Sequence, residues 1–138
     1  MNIFENKLVA VLNKSVEPGK LMNALAHMCM GLGASIGKES LRLSNYEDAA
    51  GGSHPFISEM PFIILAENSN KIHKLREAAI EKNLIFNDFT DTMTIGSYQE
   101  QLEKTAKTSP EDLVYFGIVL FGPWDAVTEL TRKFSLWK

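Results

Sequence analysis

Lys20, Asn23 and His27 follow the i, i+3, i+7 spacing of one helical stripe and offer a cation, an amide and an imidazole. Such a triplet can hold an anionic ligand, or it can move a proton on the imidazole while the ammonium steadies developing negative charge. Lys20 follows Pro18 in the first turn of the expected helix, where free N–H groups and the positive end of the helix dipole already favour an anion. Ala24, Gly31 and Ala34 lie along the same stripe, so another backbone or a ligand can approach closely. Pro18-Gly19-Lys20 lacks the upstream glycine and the following Ser or Thr of a P-loop. The plainer role for His27 is a hydrogen-bonded packing residue. His54, ahead of Pro55, is a further ligand-binding candidate, with a turn role as its alternative. His27, His54 and His73 share no metal-ligand spacing, so neither a metal nor another cofactor is expected. His73, beside Lys71, Lys74 and Arg76, reads as part of a solvated basic face.

The elements that must position these groups follow from the hydrophobic pattern. Leu8–Leu12 is an unbroken apolar run suited to a central strand covered on both faces. Pro18 opens a helix running to about Leu32, with Gly31 and Gly33 marking its end and Leu21, Leu25, Met28, Cys29 and Leu32 facing the core. Residues 34–60 read as irregular, with a short strand near Leu41–Leu43 and a loop from Asp48 to Ile57 that could serve as a lid. Pro61–Ala66 is a second buried strand, followed by a helix capped at Ser69 or Asn70 and packed through Ile72, Leu75 and Ala79. A third strand begins at Leu84–Phe86 and is interrupted by the polar stretch Asp88–Thr94. A modest helix covers Tyr98–Ala106, and Leu113–Phe121 is the strongest strand signal. Gly122-Pro123 then opens a last helix, and Phe134–Trp137 closes as an edge strand. The alternation predicts one α/β domain over residues 1–138: a mixed, mainly parallel sheet of four to five strands with helices on both faces.

Composition bounds the function. A chain of 138 residues, 45% hydrophobic, has room for one core and one concave site, which excludes a two-domain enzyme. A net charge of −3 argues against a surface built wholly for nucleic acid. The single cysteine, Cys29, rules out a disulfide within the chain and points to the cytoplasm. No stretch approaches the ~20 apolar residues of a membrane span, and the acidic start lacks the charge pattern of a signal peptide. Exposure of Trp124 or Trp137 would favour a homodimer, the commonest assembly for small domains of this kind and the state expected here.

Pro18-Gly19-Lys20-Leu21-Met22-Asn23-Ala24-Leu25-Ala26-His27, after a buried strand, resembles the start of the type 2 peptidyl-tRNA hydrolases of archaea and eukaryotes. Val114–Phe121, Gly122-Pro123 and the helix ending at Leu130–Leu136 are similar to that family's strand, turn and closing helix, and Asp88 with Thr92 resembles its loop Asp and Thr. A closer resemblance is to the domain of unknown function 2000, regarded as a relative of these hydrolases: Asn23-Ala24-Leu25-Ala26-His27, the loop from Gly51 through His54-Pro55-Phe56-Ile57-Ser58, Asp88-Phe89-Thr90 and Tyr98 look like its recurring features. The resemblance implies a peptidyl-tRNA hydrolase type 2-like fold, with Lys20, Asp88 and Thr92 in the places of the hydrolase's site lysine, acid and hydroxyl. The departures are specific. The hydrolase's glutamine, four residues after its lysine, is Ala24 here, and its basic composition is replaced by an acidic one.

Two functions are therefore expected. One is a binding module that holds a small anionic molecule through Lys20, Asn23 and His27, with His54 on the lid. The other is a water-mediated ester hydrolase, with Asp88 or His27 as base, Lys20 as stabiliser and Thr92 or Asn23 as orienting groups. Charge and the missing glutamine weigh against tRNA as the partner.

Overall fold

The computed structural model describes residues 4–138. Seven strands appear among them in chain order: β1 (Asn6–Asn13), β2 (Leu43–Glu47), β3 (Ser53–Ser58), β4 (Phe62–Glu67), β5 (Ile85–Thr90), β6 (Tyr115–Pro123) and β7 (Ser135–Leu136). Four α-helices join them: α1 (Pro18–Ile36), α2 (Ser69–Glu81), α3 (Tyr98–Lys107) and α4 (Trp124–Thr131). Five strands build one sheet in the order β5-β6-β1-β4-β7, while β2 and β3 pair as a separate hairpin.

The sheet is mixed but mostly antiparallel, against the mainly parallel arrangement expected. β1 runs parallel to β4 only; the pairs β1–β6, β5–β6 and β4–β7 are all antiparallel. Helical segments between strands led to the parallel expectation, because a helix that packs on a sheet usually returns the chain in the same direction. The segment between β5 and β6 does not do this. α3 buries none of its residues, so the chain leaves the sheet's end, reverses, and inserts β6 between β5 and β1. β6 is buried from Tyr115 to Gly122 because it is central, a property that a parallel and an antiparallel strand can share.

Helices do cover both faces. Leu8, Ala10 and Leu12 of β1 meet Leu21, Met28 and Leu32 of α1 in one core, and Val9 and Val11 meet Ile72 and Leu75 of α2 and Val127 of α4 in the other. The period-two alternation of β1 thus separates α1 from α2 across the sheet. Asn68 caps α2 by accepting a hydrogen bond from the Lys71 backbone N–H at 2.9 Å, one residue ahead of the capping position expected. Asn68→Ala is expected to destabilise the fold by about 1 kcal/mol, which urea unfolding would measure as a lower midpoint with an unchanged slope.

α1 continues beyond both of its glycines to Ile36 and stops at Gly37, whose φ of 88° an L side chain rarely adopts. Two interior glycines each cost about 1 kcal/mol against alanine, but burial of Leu32 and packing of Ile36 hold the last turns in place. The stretch 34–60 is more regular than expected: it contains the β2–β3 hairpin, with Glu47 opposite Ser53, and the segment Asp48–Ile57 is its turn and most of its second strand. β5 also runs straight through Asp88 to Thr90 instead of ending at Phe86. The short closing strand is where the pattern placed it, with Ser135 and Leu136 paired to the outer side of β4. Trp124 and Trp137 are both half-buried, the first stacked on Phe4 and the second packed against the core. The tryptophan exposure that would have favoured a homodimer is therefore missing. No helix among the described residues is long and apolar enough to cross a membrane.

Candidate functional site

α1 carries Lys20, Asn23 and His27 on its outward stripe, all three exposed. They line a hollow of about 600 Å³ together with Gly19, Met93 and Gln101. His27, Met93 and Gln101 also border a second hollow of about 640 Å³, so the two join into one groove along the helix. The far wall comes from the short 3₁₀ turn Asp91–Thr94 and from α3. Met93, Tyr98 and Gln101 therefore belong to the site, although their sequence signal was weak. What could have revealed them is the Ser97–Glu100 capping box, in which each side chain binds the other's backbone N–H and fixes where α3 begins.

Among the described residues, the side chains of Lys20, Asn23 and Gln101 make no hydrogen bond or ion pair. His27 rests its ring against Phe89, with centroids 6.0 Å apart, and has no polar partner among the described residues. The stripe is thus a set of free donors and acceptors over an apolar floor. Its small residues have other tasks. Ala24 is fully buried in the core beneath α1. Gly31 admits a side chain of β5: a Cβ there would lie 2.6 Å from Asn87 Nδ2, which donates to the Met28 carbonyl at 2.9 Å. The close approach anticipated for a ligand is used by the protein itself.

Asp88 borders the groove, but its carboxylate is turned away from Lys20. Asn87 reaches α1, so the next residue of the strand must leave the opposite face. There Arg76 of α2 donates from Nε to Asp88 Oδ1 at 3.1 Å. Asp88 is half-buried in this ion pair, while the Arg76 guanidinium also lies 5.5 Å from the centre of the Phe86 ring. Lys20 and Asp88 consequently do not line the same hollow: Asp88 borders the larger one and Lys20 the other.

Thr92 is buried, with 1% of its surface exposed. Its hydroxyl lies 2.8 Å from that of Thr90 and 2.7 Å from that of Thr105, and Thr105 Oγ1 is 2.7 Å from the Gln101 carbonyl. Gln101's carbonyl can only accept, and Thr105 has one proton to give. Thr105 Oγ1 therefore shares its proton between the Gln101 carbonyl and Thr92 Oγ1, and either hydroxyl can donate between Thr90 and Thr92. The hydroxyl of Thr92 is engaged at both ends in fastening α3 to the 3₁₀ turn.

His54 lies on the separate hairpin and borders neither hollow. Its Nε2 is 2.9 Å from Asp48 Oδ2, and the other carboxylate oxygen accepts from the Ala50 and Gly52 backbone N–H groups. The His54 hydrogen bond, then those backbone donors, hold the Asp48 carboxyl below its ordinary pKa. His73 is not on a solvated face: its ring stacks on Tyr115 at 4.9 Å and its Nε2 is 2.9 Å from Glu77.

In open α/β sheets the usual ligand crevice lies where neighbouring strands send their helices to opposite faces. Here that point is the carboxyl end of β1 and β4. It is closed by the chain's own groups: Asn13 donates to the Tyr115 carbonyl at 2.9 Å, and Glu67 accepts from the Asn68 N–H at 3.0 Å while facing Lys14 at 3.8 Å and Lys71 at 3.5 Å. Burial pushes the Glu67 carboxyl up, but the Asn68 N–H and the charges of Lys71 and Lys14 outweigh this and hold it below its ordinary 4.5. A carboxylate with a lowered folded pKa stabilises fully above its unfolded value and loses that stabilisation as pH falls through the folded one. The Tm difference between wild type and Glu67→Gln is therefore expected to be greatest above about pH 5 and to shrink as pH falls below 4.5. Thermal melts from pH 7 to 3 would measure it.

Comparison with known proteins adds a family to this geometry. The family model described as protein of unknown function (DUF2000) matches residues 6–138. The chain belongs to the DUF2000 family. A solved structure of the protein of unknown function Atu0240, from Agrobacterium tumefaciens strain C58, superimposes with a TM-score of 0.85 at 18% identity, covering 99% of this chain and 100% of that one. At that identity the likeness concerns the fold alone, and it spans nearly the whole chain. No curated protein matches the sequence.

Proposed function

We propose that this DUF2000 domain is a binding module for a small anionic molecule, held in the groove by Lys20 with Asn23, His27 and Gln101. The observation that carries this reading is that, among the described residues, Lys20 is the one charged lining residue without an ionic partner, in a groove where the side chains of Asn23 and Gln101 also make no hydrogen bond. A lysine ammonium beside the first turn of α1 complements an anion, and the amides supply orientation. Kinship with the type 2 peptidyl-tRNA hydrolases is part of the proposal, supported by the strand, Gly19-Lys20 and helix at the start of the fold and by Gly122-Pro123 at the end of β6, directly before α4. A cytoplasmic setting accords with the lone Cys29, whose thiol burial pushes up and so keeps protonated.

Binding is favoured over hydrolysis because Asp88 and Thr92, two of the groups named for hydrolysis, are already engaged. Asp88 is neutralised by Arg76 and directed away from Lys20, and Thr92 is bonded at both ends. The test is a thermal-shift panel of inorganic phosphate, nucleoside monophosphates and small carboxylates, each recovered and checked for turnover. The expected result is at least one anion that raises Tm and is recovered unchanged, since a ligand at a hundred times its Kd adds about 2.7 kcal/mol of stability. No stabilising anion, or one that is consumed, would overturn the reading.

A further inference from the structure

The groove has a second half that a small anion does not need. Beside His27 and Met28 its wall is Phe86, Asn87, Asp88 and Phe89, four successive residues of β5. Side chains of successive strand residues leave opposite faces, so a hollow bordered by all four runs along the rim of the strand. That rim is the open edge of the sheet, because β5 is its last strand and pairs with β6 alone. Apart from its ladder with β6, the backbone from Ile85 to Phe89 makes no hydrogen bond among the described residues. Alternate N–H and C=O groups along this segment therefore point outward.

Natural sheets usually blunt such an edge with proline, lysine, a bulge or a covering element. The other side of this sheet follows that rule: the two-residue β7 covers the outer side of β4. From Ile85 to Phe89 there is no proline and no lysine, and the irregularity of pairing comes only between Phe89 and Thr90. α1 runs alongside, tied to the edge by the Asn87 bond to Met28. A cleft between a helix and an unpaired strand is the geometry in which domains take up an extended peptide as an added strand. Met93 and Tyr98, the latter 74% exposed, supply an adaptable thioether and an aromatic surface at one wall. Past His27 the groove opens onto Lys20, its one unpaired charge among the described residues.

We infer that the natural ligand is an extended peptide that adds to β5 as a sixth strand and places its C-terminal carboxylate at Lys20. The inference rests on the anion-binding reading of Lys20 and names its ligand class. Main-chain bonds to β5 supply affinity, and the free carboxylate sets the end of the register.

The test uses a synthetic library of eight-residue peptides with free C-termini, screened by fluorescence polarisation against the full chain. Peptides that bind are then compared as C-terminal amides and as backbone N-methylated forms, and amide hydrogen exchange is followed in β5. The expected result is binding weakened at least tenfold by amidation and by N-methylation at alternate positions, with exchange slowed at least tenfold in a set of amides between Ile85 and Phe89. Lys20→Ala is expected to abolish the preference for the free acid. Peptides that bind without slowing exchange in β5, or bind equally as amides, overturn the inference. Protection of β5 that rises with protein concentration alone overturns it too, since the edge would then be a seam between two copies. If phosphate or a nucleoside monophosphate stabilises through Lys20 while no peptide protects β5, the peptide inference fails and the anion reading stands.

Discussion

Lys20→Ala is expected to weaken anion binding about 10- to 100-fold, because a hydrogen bond to a charged group contributes roughly 1.5–3 kcal/mol. The same substitution is expected to leave folding stability within about 0.5 kcal/mol of wild type, since Lys20 is exposed and pairs with none of the described residues. Affinity should also fall with added salt in the wild type and become less salt-dependent in the variant. Isothermal titration at low and high ionic strength, with urea unfolding of both proteins, would measure all three effects. Arg76→Ala provides the contrast. It removes the partner of half-buried Asp88, so its effect belongs to stability, and anion affinity should be retained. An Arg76→Ala variant that folds normally but no longer binds would show that the far face of β5 takes part in the site.

Thr92→Val is expected to cost about 1–3 kcal/mol of stability while leaving anion affinity unchanged. Valine keeps the shape but leaves the buried Thr90 hydroxyl without its Thr92 partner and removes one of the two acceptors of Thr105. A buried polar group that loses its partner incurs a desolvation penalty of roughly that size. In a chain of this length 1 kcal/mol moves Tm by about 3–6 °C, so the loss is plain in a thermal melt. Thr92→Ser, which retains the hydroxyl, should recover most of it. An orienting hydroxyl in a hydrolase would behave in the opposite way, with binding or turnover falling and stability nearly untouched.

The legible parts of the fold were those where one local signal decides. An apolar run as pure as Leu8–Leu12 has no stable place except between two layers, and Pro18 fixes where α1 begins. Strand direction was not legible, because it depends on α3 lying off the sheet and so allowing β6 to return antiparallel. The length of α1 was misread for a related reason. Gly31 and Gly33 resemble stop signals locally, yet one admits Asn87 from β5, and both are retained by contacts with Leu32 and Ile36 that no window of the sequence displays.

The site was half legible on the same logic. Helical spacing places Lys20, Asn23 and His27 together without help from the rest of the chain, and the structure gives them a shared groove. Asp88 and Thr92 were selected by resemblance, and their surroundings come from distant segments: Arg76 on α2 for one, Thr105 on α3 for the other. His54 likewise belongs to an Asp48 turn that only the hairpin's pairing reveals. Gln101 was missed, and Tyr98 was singled out by resemblance but not placed in the site, because α3 reaches the groove through the 3₁₀ turn, a connection set by tertiary packing.

The most direct measurement is an amide NMR map of the uniformly ¹⁵N-labelled chain titrated with the most stabilising anion of the panel. Shift changes confined to Gly19–Asn23, His27 and Gln101, and absent in Lys20→Ala, are the predicted result. Changes centred on Lys71, Lys74 and Arg76 of α2, or identical changes in the Lys20→Ala protein, would contradict it.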